Sequence, residues 1–275
     1  MHRKLLIITL LLGLALPTLA QQSLPVRVDR WLAIAQMAGQ VTFTQGTRSR
    51  SAQIGDRLQA VGDGITTGSA STAVLAVDTG IGSVQVSSDT QVRVQAMSIA
   101  PNNGRITRLL VPRGQVRLQL RPFTNPGSRM EIETPAGTSG VRGTEFGLNV
   151  QPDGKMAIAT LEGSVATSAE GETVLVRGGF QNLTLPGESP LPPTPLTNST
   201  ELDYRIDRLI ENNIRRVRLV GRVDPVNIVR VGDTPQVTDR NGLFSVVLPA
   251  TSRLHLQVTV ITPLGKQQVY ELALL

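Results

Sequence analysis

The sequence predicts an all-β protein. Three observations carry this: short apolar runs with period-two alternation, turn signals every few residues from 26 Gly and 17 Pro, and almost no helical period in the 275 residues. An open sheet of so many strands would leave edges and one face bare, so two packed sheets or a jelly-roll-like β fold is expected for the larger, N-terminal part.

The first element is not a strand. His2, Arg3 and Lys4 precede an apolar stretch from Leu5 to Leu16, and Thr18 and Ala20 stand where a signal peptidase would cut. Residues 1–20 are therefore expected to be a signal peptide, and the mature chain to be periplasmic or secreted with no membrane-spanning segment. Strands then follow from about Asp29 to Leu185. Ser71–Val77 and Ser83–Ser87 flank a Gly-containing turn and read as a hairpin. Gln91–Gln95, Ile106–Val111, Gln115–Leu120, Glu131–Thr134, Thr144–Val150 and Lys155–Leu161 continue the pattern. Gly163–Thr167, Glu172–Val176 and Gln181–Leu185 close this 21–187 β-domain.

Pro186–Pro195 is Pro-rich and reads as an extended linker. Leu202, Ile206, Leu209 and Ile210 give the one helical period, so a short linking helix is expected over Thr200–Glu211, with Asn212-Asn213 as its stop. Linker and helix together span 188–213. From Ile214 onward strands return, and the Asn241-Gly242 turn supports a small Ig-like β-sandwich over 214–275.

Composition narrows the chemistry. With no cysteine, thiol catalysis, disulfides and Cys-rich metal sites are excluded; with two histidines, His triads and multi-His metal centres are not expected. No cofactor and no metal are expected. Basic residues exceed acidic ones by 27 to 21, but residues 21–212 hold 17 of each, so after the leader the excess sits in the last 63 residues. That distribution, with the expected compartment, argues against nucleic acid as a partner. Asp78-Thr79-Gly80 resembles half of an aspartic-protease dyad, yet it occurs once and falls on a hairpin turn. His255 lies on the polar side of a strand with Gln257 and Thr259. Phe43, Phe146, Phe180 and Phe244 sit in or beside strand patterns and read as core, leaving Trp31 as the aromatic available for stacking.

Thr134-Pro135-Ala136-Gly137-Thr138-Ser139-Gly140-Val141-Arg142-Gly143-Thr144-Glu145-Phe146 resembles the signature of the FecR family, and Gly55-Asp56-Arg57-Leu58, Gly62-Asp63-Gly64, Val92-Arg93-Val94, Gly114-Gln115-Val116 and Leu161-Glu162-Gly163 follow its order. The resemblance implies an all-β periplasmic sensor module that meets a transporter's signalling domain and passes its state to a sigma-factor regulator. The family pattern opens with a cytoplasmic anti-sigma segment and a membrane helix; here a signal-like leader stands in their place, so the module and its compartment carry over rather than the circuit.

Gly140, Val141, Gly143 and Phe146 read as structural members of this signature, forming a tight turn that enters a strand. Arg142 and Glu145 either pair and pin the corner, or Arg142 offers its forked donors to a carboxylate of a ligand or partner loop, with Thr144 and Glu145 beside it. The expected function is non-enzymatic: binding of a protein or envelope ligand, in signal sensing. The alternative is a structural or adhesion module in which Arg215, Arg216, Arg218 and Arg222 dock an anionic cell-wall polymer.

Overall fold

The structure is a computed structural model, and it describes residues 31–78, 80–211, 214–250 and 254–274. The expected leader lies outside the described residues. Chain order begins with β1 (Leu32–Ala38), β2 (Val41–Gln45), β3 (Arg48–Ser51), β4 (Arg57–Leu58), β5 (Gly64–Thr67), β6 (Thr72–Val77), β7 (Gly82–Val86) and β8 (Gln91–Ile99). It continues with β9 (Arg105–Leu120), β10 (Arg129–Thr134), β11 (Gly137–Val141), β12 (Glu145–Val150) and β13 (Met156–Glu162). Four more complete this part: β14 (Ser164–Ala169), β15 (Glu172–Arg177), β16 (Phe180–Thr184) and β17 (Thr194–Pro195). No helix occurs among the described residues, and the fold is all-β.

These strands make two sheets that share β9. One runs β4-β1-β6-β7-β9-β12-β13-β16-β17, and the other β3-β2-β5-β8-β9-β10-β11-β14-β15. The sequence reads β9 as two strands, Ile106–Val111 and Gln115–Leu120, whereas it is one strand of 16 residues that changes sheet midway. Its first half pairs with β8 and, in parallel, with β10; its second half pairs with β7 and β12. Gly114 makes the corner at φ +96°, where a Cβ would also run into Thr90. Thr90, fully buried, accepts from Gln115 N at 2.9 Å through Oγ1 and so ties the bend to the end of the neighbouring strand. The apolar residues of both sheets, among them Leu75, Val84, Leu118, Phe146 and Leu148 from one and Val92, Leu109, Ile132, Val141 and Val165 from the other, meet in one core. The hairpin expected around residue 80 is present as β6–β7.

The C-terminal part has two smaller sheets. β18 (Asp203–Glu211), β19 (Ile214–Arg222) and β22 (Leu243–Pro249) form one; β21 (Thr234–Gln236), β20 (Ile228–Val231), β23 (Leu254–Ile261) and β24 (Gln267–Leu274) form the other. Leu219, Val229, Phe244, Val258 and Val260 are buried between them.

The expected linking helix over Thr200–Glu211 is instead β18. Leu202 and Ile206 are four apart, a spacing that serves a helix face and, being even, one side of a strand equally well. The tie is broken by the partner: β19 pairs with β18 without interruption from Asp203↔Arg222 to Glu211↔Ile214. Asn212 and Asn213, expected to stop the helix, lie outside the described residues. The Pro-rich segment is no free spacer either. Its end, β17, adds to β16, and Leu191 N donates to Leu183 O at 3.0 Å.

The C-terminal part closes over the outer face of β9, β12, β13 and β16. Gln115 Nε2 donates to the carbonyls of Thr262 and Pro263 at 2.7 and 3.0 Å; Asn149 Nδ2 reaches Val226 O at 3.1 Å, and Gln151 Nε2 reaches Pro225 O at 2.9 Å. Ala157 and Leu183 pack against Val226. Lys155, only 2% exposed, donates to the Thr238 carbonyl and stands 3.2 Å from Asp153 Oδ2. At Gly147 a side chain has no room, because a Cβ would overlap the Pro263 carbonyl.

Candidate functional site

The signature stretch is where the chain passes from one sheet to the other. Gly140 and Val141 end β11, with Val141 2% exposed and in the core; Glu145 opens β12, whose Phe146 is fully buried. Gly143 sits at φ +113°, and a Cβ there would collide with Pro122, so this position admits only glycine on two counts. Gly140 differs: it is extended, and a Cβ would meet nothing nearer than Ala166 O at 3.9 Å.

Thr144 is buried and donates from Oγ1 to Ser164 O at 3.1 Å, while its carbonyl accepts from Leu120 N at 3.2 Å. It braces the corner from within, with its hydroxyl engaged by the Ser164 carbonyl. Glu145 pairs with Arg117, whose Nη2 lies 2.5 Å from Oε1. The expected Arg142–Glu145 pair is therefore not formed. Alternation explains why: β9 runs beside β12 in register Gly147↔Arg117, which puts Arg117 on the outer face with Glu145.

Arg142 is left exposed, and its side chain meets no hydrogen-bond or ion-pair partner among the described residues. Its backbone is fixed, since the carbonyl accepts from Phe123 N at 3.1 Å. Beside the corner runs an open groove of about 550 Å³, lined by Gly82, Ser83, Arg121, Gly143, Glu145 and Glu162 among others.

The earlier family motifs also build turns. Asp63, 1% exposed, accepts from the backbone N–H groups of Gln59 and Ala60, both at 2.9 Å. Asp56 accepts from Gln53 N at 2.8 Å and pairs with Arg50 through two contacts of 2.7 Å. The Arg50 hydrogen bond is the largest of the effects that hold the Asp56 carboxyl below its ordinary range.

Other candidates are dispersed. Arg216, Arg218 and Arg222 share one face of β19, while Arg215 alternates to the other, so the four arginines do not form one patch. On that shared face Arg218 stands opposite Asp207 and Arg222 opposite Asp203. Trp31 is half-buried, and the Arg57 guanidinium covers its ring at 4.7 Å, leaving it poorly placed to stack on a sugar. Phe180, read as core, is 39% exposed, whereas Phe43, Phe146 and Phe244 are buried as expected. Asp78 accepts from Trp31 N at 3.1 Å. Among the described residues no group of three or more His, Asp or Glu is gathered as a metal site would require, and no helix is long and apolar enough to cross a membrane.

Sequence reasoning missed Arg117, Gln115, Gly147 and Lys155. The one signal available was their repeated outward position next to core residues, which marks a covered face only once its cover is known.

The family described as FecR protein matches residues 63–166. Two solved structures, each of a candidate anti-sigma factor from Parabacteroides distasonis ATCC 8503, are similar. One has 14% identity, covers 48% of this chain and 59% of that chain, and has a TM-score of 0.40; the other has 15%, 42%, 51% and 0.35. The chain thus spans a little over half the length of those relatives. Among curated proteins there is no significant match. From the buried Asp63 turn, through the bend at Gly114 and the Gly140–Phe146 corner, to Ala166 on β14, the chain is similar to the FecR protein family.

Proposed function

We propose that this is a non-enzymatic, exported FecR-domain protein of the bacterial envelope that recognises a protein partner as part of signal sensing. The FecR domain supports the sensing role. The recognition role rests on one observation: Arg142 is held on a rigid corner with its guanidinium exposed and without a partner among the described residues. A guanidinium so presented suits bidentate capture of a carboxylate, and little side-chain order has to be lost elsewhere when it binds. Several carboxylates that could otherwise support hydrolysis are engaged by arginines: Glu145 by Arg117, Glu131 by Arg108 and Arg129, and Asp89 by Arg230.

The test is a photo-crosslinking group placed at the exposed Thr124 or Arg121 in the full chain, with native envelope as the source of partners and Arg142→Ala as the comparison. A discrete adduct that disappears in the Arg142→Ala chain is expected. An adduct unchanged by that substitution contradicts the role of Arg142, and the absence of a reproducible adduct contradicts partner recognition at this corner.

A further inference from the structure

β15 is the last strand of its sheet. It pairs with β14 on one side, and among the described residues no backbone bond reaches its other side. Which groups face outward follows from the register. Glu170 and Gly171, at φ +48° and +79°, make a two-residue turn that closes on Ala169 and Glu172 as a hydrogen-bonded pair. At the far end Gly178 N donates to Gly163 O at 2.9 Å. Alternation between these two ends bonds Val174 and Val176 to β14 and turns the N–H and C=O of Thr173, Leu175 and Arg177 away from it. The side chains agree: Val176 joins the core, whereas Leu175 is 48% exposed on the opposite face, with Thr173 and Arg177 exposed beside it.

Free edges of sheets are generally blunted by prolines, charges or short length. The other end of this sheet, β3, has four residues and carries Arg48 and Arg50, and the second sheet ends on one side at β17, two residues with Pro195. β15 has six residues, with Leu175 midway between Thr173 and Arg177. Antiparallel pairing with a second β15 has to set outward-facing residues against one another and keep each side chain on its own face. Centring the two-fold axis on Leu175 does both. Leu175 then meets Leu175, and Thr173 meets Arg177 in each direction. All the outward N–H and C=O groups of these three residues find partners, and the two leucines leave water together. The charges favour the same direction. Glu170 and Glu172 stand at one end of the strand and Arg177 at the other, so each acidic end lies beside the second copy's basic end.

We propose that two copies of this chain associate through β15, with Leu175 on the two-fold axis, so that their sheets continue into one another. A six-residue edge is smaller than a standard interface, which makes the association reversible and concentration-dependent. Arg142 follows β11, which β14 separates from β15, so this edge is distinct from the Arg142 corner.

The experiment is sedimentation equilibrium of the full chain across a wide concentration range. A monomer–dimer equilibrium is expected. Leu175→Lys, which opposes two ammonium groups on the axis and removes the apolar pair, should weaken it about tenfold or more. Thr173→Glu, which sets a carboxylate against Arg177 of the second copy, should tighten it. Both positions are exposed, and thermal midpoints of the dilute variants check that the fold is intact. A second reading does not depend on those variants. The chain has no cysteine, so Leu175→Cys adds a single thiol, and mild oxidation should link it into a disulfide dimer far faster than Ser49→Cys on β3. A monomer at every concentration, a dimer that neither L175K nor T173E alters, or equal crosslinking of the two cysteine variants overturns the proposal.

Discussion

Glu145, at the end of the signature corner, is bound by Arg117 from the neighbouring strand, and the same guanidinium reaches across to the C-terminal part. Nη2 lies 2.5 Å from Glu145 Oε1, and Nη1 donates to the Leu264 carbonyl at 3.4 Å. One side chain thus joins the corner to the loop that covers it. The pair is partly exposed, so its worth is modest. Arg117→Met is expected to cost about 1 kcal/mol, measured by urea unfolding. It should also speed proteolytic release of the C-terminal part. Unchanged proteolysis would mean that the Leu264 contact carries nothing.

Gly140 in the signature and Gly147 just after it make opposite predictions. Gly147→Ala pushes a methyl into the Pro263 carbonyl, and overpacking of this kind costs about 1–3 kcal/mol. Gly140→Ala adds a methyl to open space on an extended strand, and by restricting the unfolded chain should be neutral or stabilising by up to about 1 kcal/mol. Thermal midpoints of the two variants, compared with wild type, decide both.

Lys155 is the buried cation of the contact between the two parts. Removing it leaves the buried Thr238 carbonyl and the exposed Asp153 without this partner. Lys155→Ala should cost about 2–3 kcal/mol in urea unfolding, several times the effect expected for an exposed lysine. A loss within experimental error would contradict the burial of this side chain.

Acid should weaken the sheet that carries β10. Burial raises the Glu131 carboxyl, but hydrogen bonds from Arg129 and then Arg108 outweigh it, and the net direction is below the ordinary 4.5. A depressed pKa means that the folded protein holds this proton less tightly than the unfolded chain. The group's stabilisation is complete above 4.5 and is lost as pH falls through the depressed value. Glu131→Gln should therefore be less stable than wild type at neutral pH, and the difference should shrink as pH drops below that range. A difference independent of pH would assign the effect to packing instead.

Much of the fold is legible in the sequence because its strands alternate cleanly. Val116, Leu118 and Leu120 face the core, and the β6–β7 hairpin announces itself through its glycines. What alternation cannot reveal is which strand lies alongside which. Arg117 and Glu145 are 28 residues apart, and only the β9–β12 register makes them a pair, so the nearer Arg142 looks like the partner. β18 is misread for a related reason: Leu202, Ile206 and Ile210 stand four apart, which fits one face of a helix or one face of a strand, and the neighbour that decides between them follows later in the chain. Thr144 sits in a signature that suggests a ligand, yet its hydroxyl is spent on Ser164 O. Gly147 shows the same limit from the other side, since its cause is a loop more than a hundred residues away.

The central claim is that the corner is built by Gly143, Thr144 and Glu145 and that Arg142 is what it presents. The most direct measurement is retention of the full chain on native envelope for wild type, Arg142→Lys and Arg142→Ala, alongside their thermal midpoints. The account predicts equal midpoints, retention about tenfold lower or worse for Arg142→Ala, and only partial rescue by lysine, which lacks the forked geometry. Equal retention of all three chains would contradict it.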